Sequence, residues 1–394
     1  MVDTLRRDAL PMYGGAARTP HLQQLAARGQ VRDGLASFHM TSMAMGALFT
    51  GRTPSLETGD AAEPLEWLPS AACGMARFLG ATQTEECLPP SLPTLGEAVR
   101  AQGYHTVGVV ANPLLHDPAG FSRGFDRWEE VGGEAVRDAA NFAVRPRRAA
   151  ALRTWQRVNA RVRASLADLP AAPLFLYVHY LDVHDWIIRK IDYRDAVEEM
   201  DRGIGDLLEL LSSAGLLEGA TILLTSDHGE RMVAAAGEGP KVLGGLPLHF
   251  GNPSYREVLE VPLLLVEGEG VTVPRPARSE DLFYVLLDLA GAAVPDTPRD
   301  LGADELFVGE ANFRTYRRGR FKSIQPRKGG LVLVDLEQDP GETRDVAALH
   351  PGVADAHRRR VDEISAALAA SGSPGSGAPD EEWLDRLRSL GYVE

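Results

Sequence analysis

The sequence predicts an α/β fold, with a mainly parallel central sheet between helices and a small C-terminal α+β subdomain. Three observations carry this. Apolar runs of strand length alternate with amphipathic helical stretches as far as residue 266, the pattern of parallel sheets covered on both faces. The polar residues suited to chemistry gather just after those runs, at the carboxyl ends of strands, where open α/β sheets bind ligands. From residue 304 the chain turns to short alternating strands, with turns at Arg318-Gly319 and Lys328-Gly330, which read as an antiparallel piece. The expected organisation is a main α/β domain over 1–300, a small sheet-plus-helix subdomain over 301–370, and a linker with a docking helix over 371–394.

Taken in order, the chain opens with MVDTLRRDALPMYG. Asp3 has no residues before it to form a full strand, so its own neighbourhood reads as a frayed, solvated terminus. A helix follows from Thr19-Pro20 to Gly29, with Leu22, Leu25 and Ala26 at helical spacing. In SFHMTSMAMGALFTGR, Thr41 and Ser42 precede a small-residue helix over 44–49. A hydroxyl there is either a cap or, beside the anion that a helix amino end favours, a nucleophile. Residues 57–90 show no period and read as an irregular insertion.

A short helix over 93–99 leads into the strand HTVGVVAN, which ends on Asn112. The aromatic stretch 121–128 reads as packing, and 140–166 as an arginine-rich amphipathic helical region. PLFLYVHYLDVHDW places a strand over 174–178 and then His179, Asp182, His184 and Asp185 within seven residues. Two imidazoles and two carboxylates there suit a metal or an anion. The helix over 193–211 carries Val197, Met200, Ile204, Leu207, Leu208 and Leu211 on one face. The stretch GATILLTSDHGE then gives a buried strand over 221–225 that delivers Asp227 and His228, both good ligands for a divalent ion. Gly229 allows a sharp turn behind them. A Gly- and Ala-rich segment over 233–246 precedes His249. A buried strand over 261–266 and a helix over 279–290 complete the main domain. The tail adds two or three strands and a helix over 357–369.

Composition narrows the function. The net charge of −14, from 55 acidic and 41 basic residues, argues against nucleic acid as partner. Cys73 and Cys87 are the only cysteines, which excludes a disulfide framework and a cysteine zinc site. No apolar run reaches membrane-spanning length, so no membrane insertion is expected. The opening residues show no apolar signal region, and the expected location is the cytoplasm.

In order and spacing, the segments VDTLRRD, TPHLQQLAARG, LFTGRTPS, LPTLGEAVRAQGYHT, VHYLDVHDW, MDRGIGDLLELL, LLTSDHGE, HFGNPSYREVLEVPLLL, GRFKSI, LVDLEQDPGE and LRSLGYVE resemble the sulfatase-like branch of the alkaline phosphatase superfamily. The resemblance runs nearly end to end. It implies a metal site at the strand ends, with one or two divalent ions (zinc, manganese, calcium or magnesium). Asp3 then matches the N-terminal metal carboxylate, Asp227 and His228 the Asp-His metal pair, and Thr41 both the nucleophile and a ligand of the same metal, with Ser42 as the adjacent alternative nucleophile. Asn112, His184 and His249 fall at substrate-contacting positions, and Asp182 is a further metal candidate. The implied activity is hydrolysis of a small anionic phosphate or sulfate ester through a covalent intermediate. The alternative is a non-catalytic relative that binds an anionic ligand or partner.

Two departures from that pattern shape the expectation. The segment Thr41-Ser42-Met43-Ala44-Met45 holds no cysteine, proline or arginine, so conversion to formylglycine is not expected. The strand that would deliver Asp3 is missing from the sequence pattern, which predicts a poorly anchored first ligand.

Overall fold

The computed structural model describes residues 1–55, 88, 92–112, 114–131, 153–232, 241–243, 254–267, 271–293, 301–310, 313–326 and 329–371. His249, both cysteines, the linker and docking helix beyond 371, most of the expected stretches 57–90 and 233–246, and residues 140–152 of the expected stretch 140–166 lie outside the described residues.

The main body is a sheet with helices on both faces. One part pairs β2 (His105–Val110) in parallel with β3 (Arg127–Glu130) and β4 (Leu174–His179). A second part has the order β5 (Ile222–Thr225), β6 (Glu260–Val266), β1 (Gln30–Leu35) and β7 (Ala277–Arg278). Within it β6 runs antiparallel to both neighbours, while β1 and β7 are parallel.

The first three residues join the two parts. Met1 N donates to Val178 O at 2.9 Å, Tyr180 N to Met1 O at 3.1 Å and Asp3 N to Tyr180 O at 2.9 Å. On the other side, Val2 N donates to Thr225 O at 3.0 Å. Asp3 is therefore fully buried, and the expectation of a frayed terminus and a loosely held ligand is corrected. Three residues are too few to show a strand period. Two pre-formed edges satisfy their backbone groups instead.

Side-chain alternation on the strands sorts the core into two layers. Val261, Leu263 and Leu265 face α2 (Thr41–Thr50), α3 (Leu95–Ala101) and α8 (Ser279–Leu289). Leu264 and Val266 face α1 (Pro20–Arg28), α4 (Thr154–Ser165) and α6 (Tyr193–Ser213). All seven residues of β6 are buried. Burial stabilises each such leucine by about 1.5–3 kcal/mol, which outweighs the poor strand propensity of its partner β1, QVRDGL. Gly34 in β1 is required by that pairing: a Cβ there would lie 2.9 Å from the Val261 side chain and 3.0 Å from its carbonyl oxygen.

The C-terminal part is a separate antiparallel sheet in the order β11 (Val332–Asp335), β10 (Phe321–Pro326), β9 (Phe313–Arg318) and β8 (Glu305–Gly309). It is covered by α9 (Pro351–Ser371), whose Val361, Ile364 and Leu368 pack on Phe307 and Tyr316. Among the described residues, no helix is long and apolar enough to cross a membrane.

Candidate active site and metal centre

Five of the residues expected at the site converge at the carboxyl ends of the strands. Asp3 follows the bridging residues, Asn112 follows β2, and Asp227 and His228 follow β5. Thr41 opens α2. The helix begins at Thr41 itself, with Met40 in the cap position, rather than at residue 44. Thr41 is therefore not spent on capping. Its Oγ1 lies 3.3 Å from His228 Nε2 and accepts from Asn112 Nδ2 at 3.3 Å. Ser42, buried one residue further on, is not the hydroxyl that meets these two groups.

Asp3, Asp227 and His228 each offer a ligand atom, and these atoms all lie within 4.8 Å of one another. Each carboxylate divides its oxygens in the same way. Asp3 Oδ2 accepts from Asn112 Nδ2 at 2.5 Å and from His179 Nε2 at 3.2 Å, while Oδ1 is buried without a partner. Asp227 Oδ1 accepts from His228 N at 2.9 Å and Thr4 N at 3.1 Å, while Oδ2 is buried without a hydrogen bond. Two orphaned anionic oxygens beside an imidazole are too costly to bury for nothing. A divalent cation would satisfy both, and the donor set of two carboxylates and one imidazole is of a kind that could hold one.

The two histidines have tautomers fixed by their surroundings. His228 Nδ1 lies 2.8 Å from Gly229 O, a pure acceptor, so Nδ1 carries the proton and Nε2 keeps its lone pair for the site. His179 does the reverse: Tyr177 O–H donates to Nδ1 at 2.8 Å, and Nε2–H donates to Asp3. Burial, with the charges of Asp227 and Asp3, holds the Tyr177 phenol well above its ordinary pKa, so it remains a donor. Burial alone would raise the Asp3 pKa. The hydrogen bond from His179 and the positive charge of His184 overcome this and bring it down to about 2.

His179 was visible in the sequence only as one of four polar residues after a strand, and its role as the residue orienting Asp3 was missed. His179→Phe is expected to weaken metal binding about 10–100-fold, the usual cost of losing a group that orients a ligand. Calorimetric titration of the metal-free chain measures it.

The backbone beside Asp3 is strained. Thr4 is β-branched yet sits at φ 54°, in the left-handed region such residues avoid. Its carbonyl accepts from Tyr193 Oη at 2.7 Å, and Ser226 Oγ, itself 2.6 Å from Val2 O, accepts from Leu5 N at 2.9 Å. These contacts hold the kink that turns Thr4 N toward Asp227.

His184 stands at the rim, its side chain 31% exposed, which leaves it open to a ligand. Burial lowers its pKa, but the hydrogen bond to Asp185 and the carboxylates of Asp3, Asp185 and Glu230 raise it to about 10, so it is cationic at neutral pH. Glu230, also unassigned in the sequence reading, is buried two residues beyond the Asp-His pair. Burial raises its pKa to about 7, against the positive charge of His184.

Asp182 does not join the cluster, which corrects its assignment as a metal ligand. It points at the amino end of α4, where the Thr154 side chain and Trp155 N–H favour its ionised form without making full hydrogen bonds. Burial raises its pKa to about 6. A carboxyl raised this way contributes its stability in acid, below about pH 4, and loses it as the pH climbs through 6. Asp182→Asn is expected to gain roughly 2 kcal/mol relative to the native chain between pH 4.5 and 7.5. Urea unfolding at the two pH values checks it.

With this geometry in hand, comparison with known proteins gives a consistent result. The Sulfatase family model matches residues 1–292. Steryl-sulfatase of Mus musculus is 24% identical over 530 residues, covering 97% of this chain and 82% of the relative. Among solved structures, a 2-O GAG sulfatase superposes with a TM-score of 0.68 at 15% identity, over 94% of this chain and 91% of the other. The phosphonate monoester hydrolase of Agrobacterium radiobacter gives a TM-score of 0.66 at 17% identity, over 93% of this chain and 94% of the other. Likeness at these identities is a likeness of fold.

Proposed function

The chain belongs to the sulfatase family and is an ester hydrolase, and within that class we propose that it cleaves small phosphate or sulfate esters with Thr41 as nucleophile and one divalent metal ion held by Asp3, Asp227 and His228. One observation carries the reading: the Thr41 hydroxyl stands 3.3 Å from His228 Nε2, beside two buried carboxylates that each keep one oxygen without a hydrogen bond.

A divalent cation bound there supplies positive charge that lowers the pKa of the Thr41 hydroxyl and offsets the charge of the ester. The protein's own groups do the rest. Asn112 Nδ2 donates to Thr41 Oγ1 and to Asp3 Oδ2, so it fixes the attacking oxygen relative to the metal carboxylate. The same N–H is placed to stabilise charge on an equatorial oxygen as the bond forms. The amino end of α2 lies beside that charge and favours it. The Thr41 hydroxyl releases its proton to solvent, and Oγ1 bonds to phosphorus or sulfur as the ester oxygen leaves. His184, cationic at neutral pH and open at the rim, attracts the anion and gives the leaving oxygen its proton. Water then attacks the threonyl adduct at phosphorus or sulfur and restores the hydroxyl. Threonine has no second hydroxyl on the carbon that bears the adduct, so the adduct has no route to collapse by elimination. This favours phosphorus, where attack by water is well supported by a metal site.

The test is turnover of nitrophenyl phosphate, nitrophenyl phenylphosphonate and nitrophenyl sulfate by chain purified without chelator, with metal counted by elemental analysis. About one equivalent of metal, with turnover lost on chelation and restored by zinc or manganese, is the expected result. Turnover that survives complete removal of metal overturns the metal role. A chain that hydrolyses none of the three with zinc, manganese, magnesium or calcium overturns the proposal.

A further inference from the structure

The C-terminal sheet reaches the metal site through a buried ion pair. Lys322 on β10 is 1% exposed. Its Nζ donates to Ser254 O at 3.0 Å, contacts the Glu342 carboxylate, and lies 5.2 Å from the centroid of the buried Tyr255 ring. Glu342 is also fully buried, with its backbone at φ 56°. Its Oε1 accepts from Arg256 N at 2.7 Å. Lys322 and Glu342 thus grip the backbone of 254–256 from both sides.

Stability alone is a weak reason to keep such a pair. Burial disfavours the charged lysine, and apolar residues of similar volume usually serve as well as a buried ion pair. What the pair grips is more telling. The loop carrying Asp227 and His228 turns against the same segment: Gly229 N donates to Val258 O at 2.6 Å and Glu230 N to Glu257 O at 3.1 Å. The contact has no slack, since a Cβ on Gly229 would lie 2.0 Å from Glu257 O. The Gly229 carbonyl in turn fixes the His228 ring through Nδ1. Between the Glu342 carboxylate and the His228 ring the connection runs through the backbone of 256–258 and of Gly229, which is held more firmly than a chain of flexible side chains.

We propose that Lys322 and Glu342 are positioning residues, through which the C-terminal sheet sets the 227–230 loop and the aim of His228 Nε2 at the metal. The inference rests on the metal-site reading above. Zinc or manganese titration of the metal-free chain, with the thermal midpoint measured alongside, tests it.

The native chain should bind one equivalent. Lys322→Met should bind about tenfold more weakly, the scale seen when a group supporting a metal ligand is removed. Glu342→Gln, which keeps the volume and the oxygen facing Arg256 N, should shift affinity in the same direction by less. A native chain that takes up no metal overturns the site reading and this inference with it. A native chain that binds, beside variants that bind equally tightly with only a lowered midpoint, overturns this inference alone. If neither variant folds, hydrogen exchange on the native metal-free chain decides. The Gly229 and Glu230 amides should open together with those of β10. Protection that persists while β10 exchanges overturns the coupling.

Discussion

Thr41→Ala is expected to lower kcat at least about 10⁴-fold while leaving the metal bound. Loss of a nucleophile removes the bond-forming atom itself, and what survives is charge stabilisation by the remaining site. Here that remainder is the metal, Asn112 and His184. The metal should stay, because two carboxylates and an imidazole, those of Asp3, Asp227 and His228, remain to hold it. Thr41→Ser keeps the oxygen at the head of α2 and should retain activity within about tenfold. Ser42→Ala should behave as the native chain, since the Thr41 hydroxyl, and not that of Ser42, meets His228 and Asn112. Steady-state kinetics and elemental analysis on the three variants settle the assignment. A dead Ser42→Ala beside an active Thr41→Ala would reverse it. An active Thr41→Ala beside an active Ser42→Ala would remove the covalent step altogether.

The fold was legible where the sequence pattern is local. Strands β2, β4, β5 and β6 are apolar runs that announce themselves, and α1 and α6 carry their periods and starts in plain view. Strands β1 and β3, QVRDGL and RWEE, were missed because their residues are polar or charged and their strand character comes from neighbours. β1 exists because β6 pairs with it over six residues, and because Arg7 reaches both Asp33 and Glu260 at 2.5 Å. The residues 1–3 were misread for a related reason: a segment held by two edges needs no propensity of its own.

The site follows the same rule. Asp3, Thr41, Asn112, Asp227 and His228, which the structure brings together, were singled out because a carboxylate, amide or hydroxyl after a strand or before a helix has few uses, and the family resemblance named one for each. Asp182 satisfied the same local test and failed in space, since a carboxyl after a strand can equally face a helix end. His179 and Glu230 gave the opposite error. Their chemistry is conferred by burial beside Asp3 and His184, which no spacing records. The one available signal was that His179 is the last residue of its strand and so shares the edge on which Asp3 lies.

Asp227→Asn should separate the metal role of this carboxylate from its structural role, because the two fall on different oxygens. Asparagine can keep Oδ1 as acceptor for Thr4 N and His228 N, so the loop should hold its shape. At the other position an N–H₂ replaces Oδ2 and turns two positive hydrogens toward the cation. Bound metal is expected to fall from about one equivalent to below about a tenth, and kcat/KM by at least about 10³-fold. Stability supplies the second arm. The Asp3 and Asp227 ligand atoms lie within 4.8 Å of each other, and like charges at that distance with no cation between them repel by about 1–3.5 kcal/mol between dielectric constants of about 80 and 20. Removing one charge should therefore leave the metal-free variant at least as stable as the metal-free native chain. With zinc or manganese at a hundred times its Kd, the native chain should gain about 2.7 kcal/mol and the variant nothing. The order of the two thermal midpoints then reverses with metal. A carboxylate present only to brace the loop would make the variant the less stable in both conditions, and that result would remove Asp227 from the metal site.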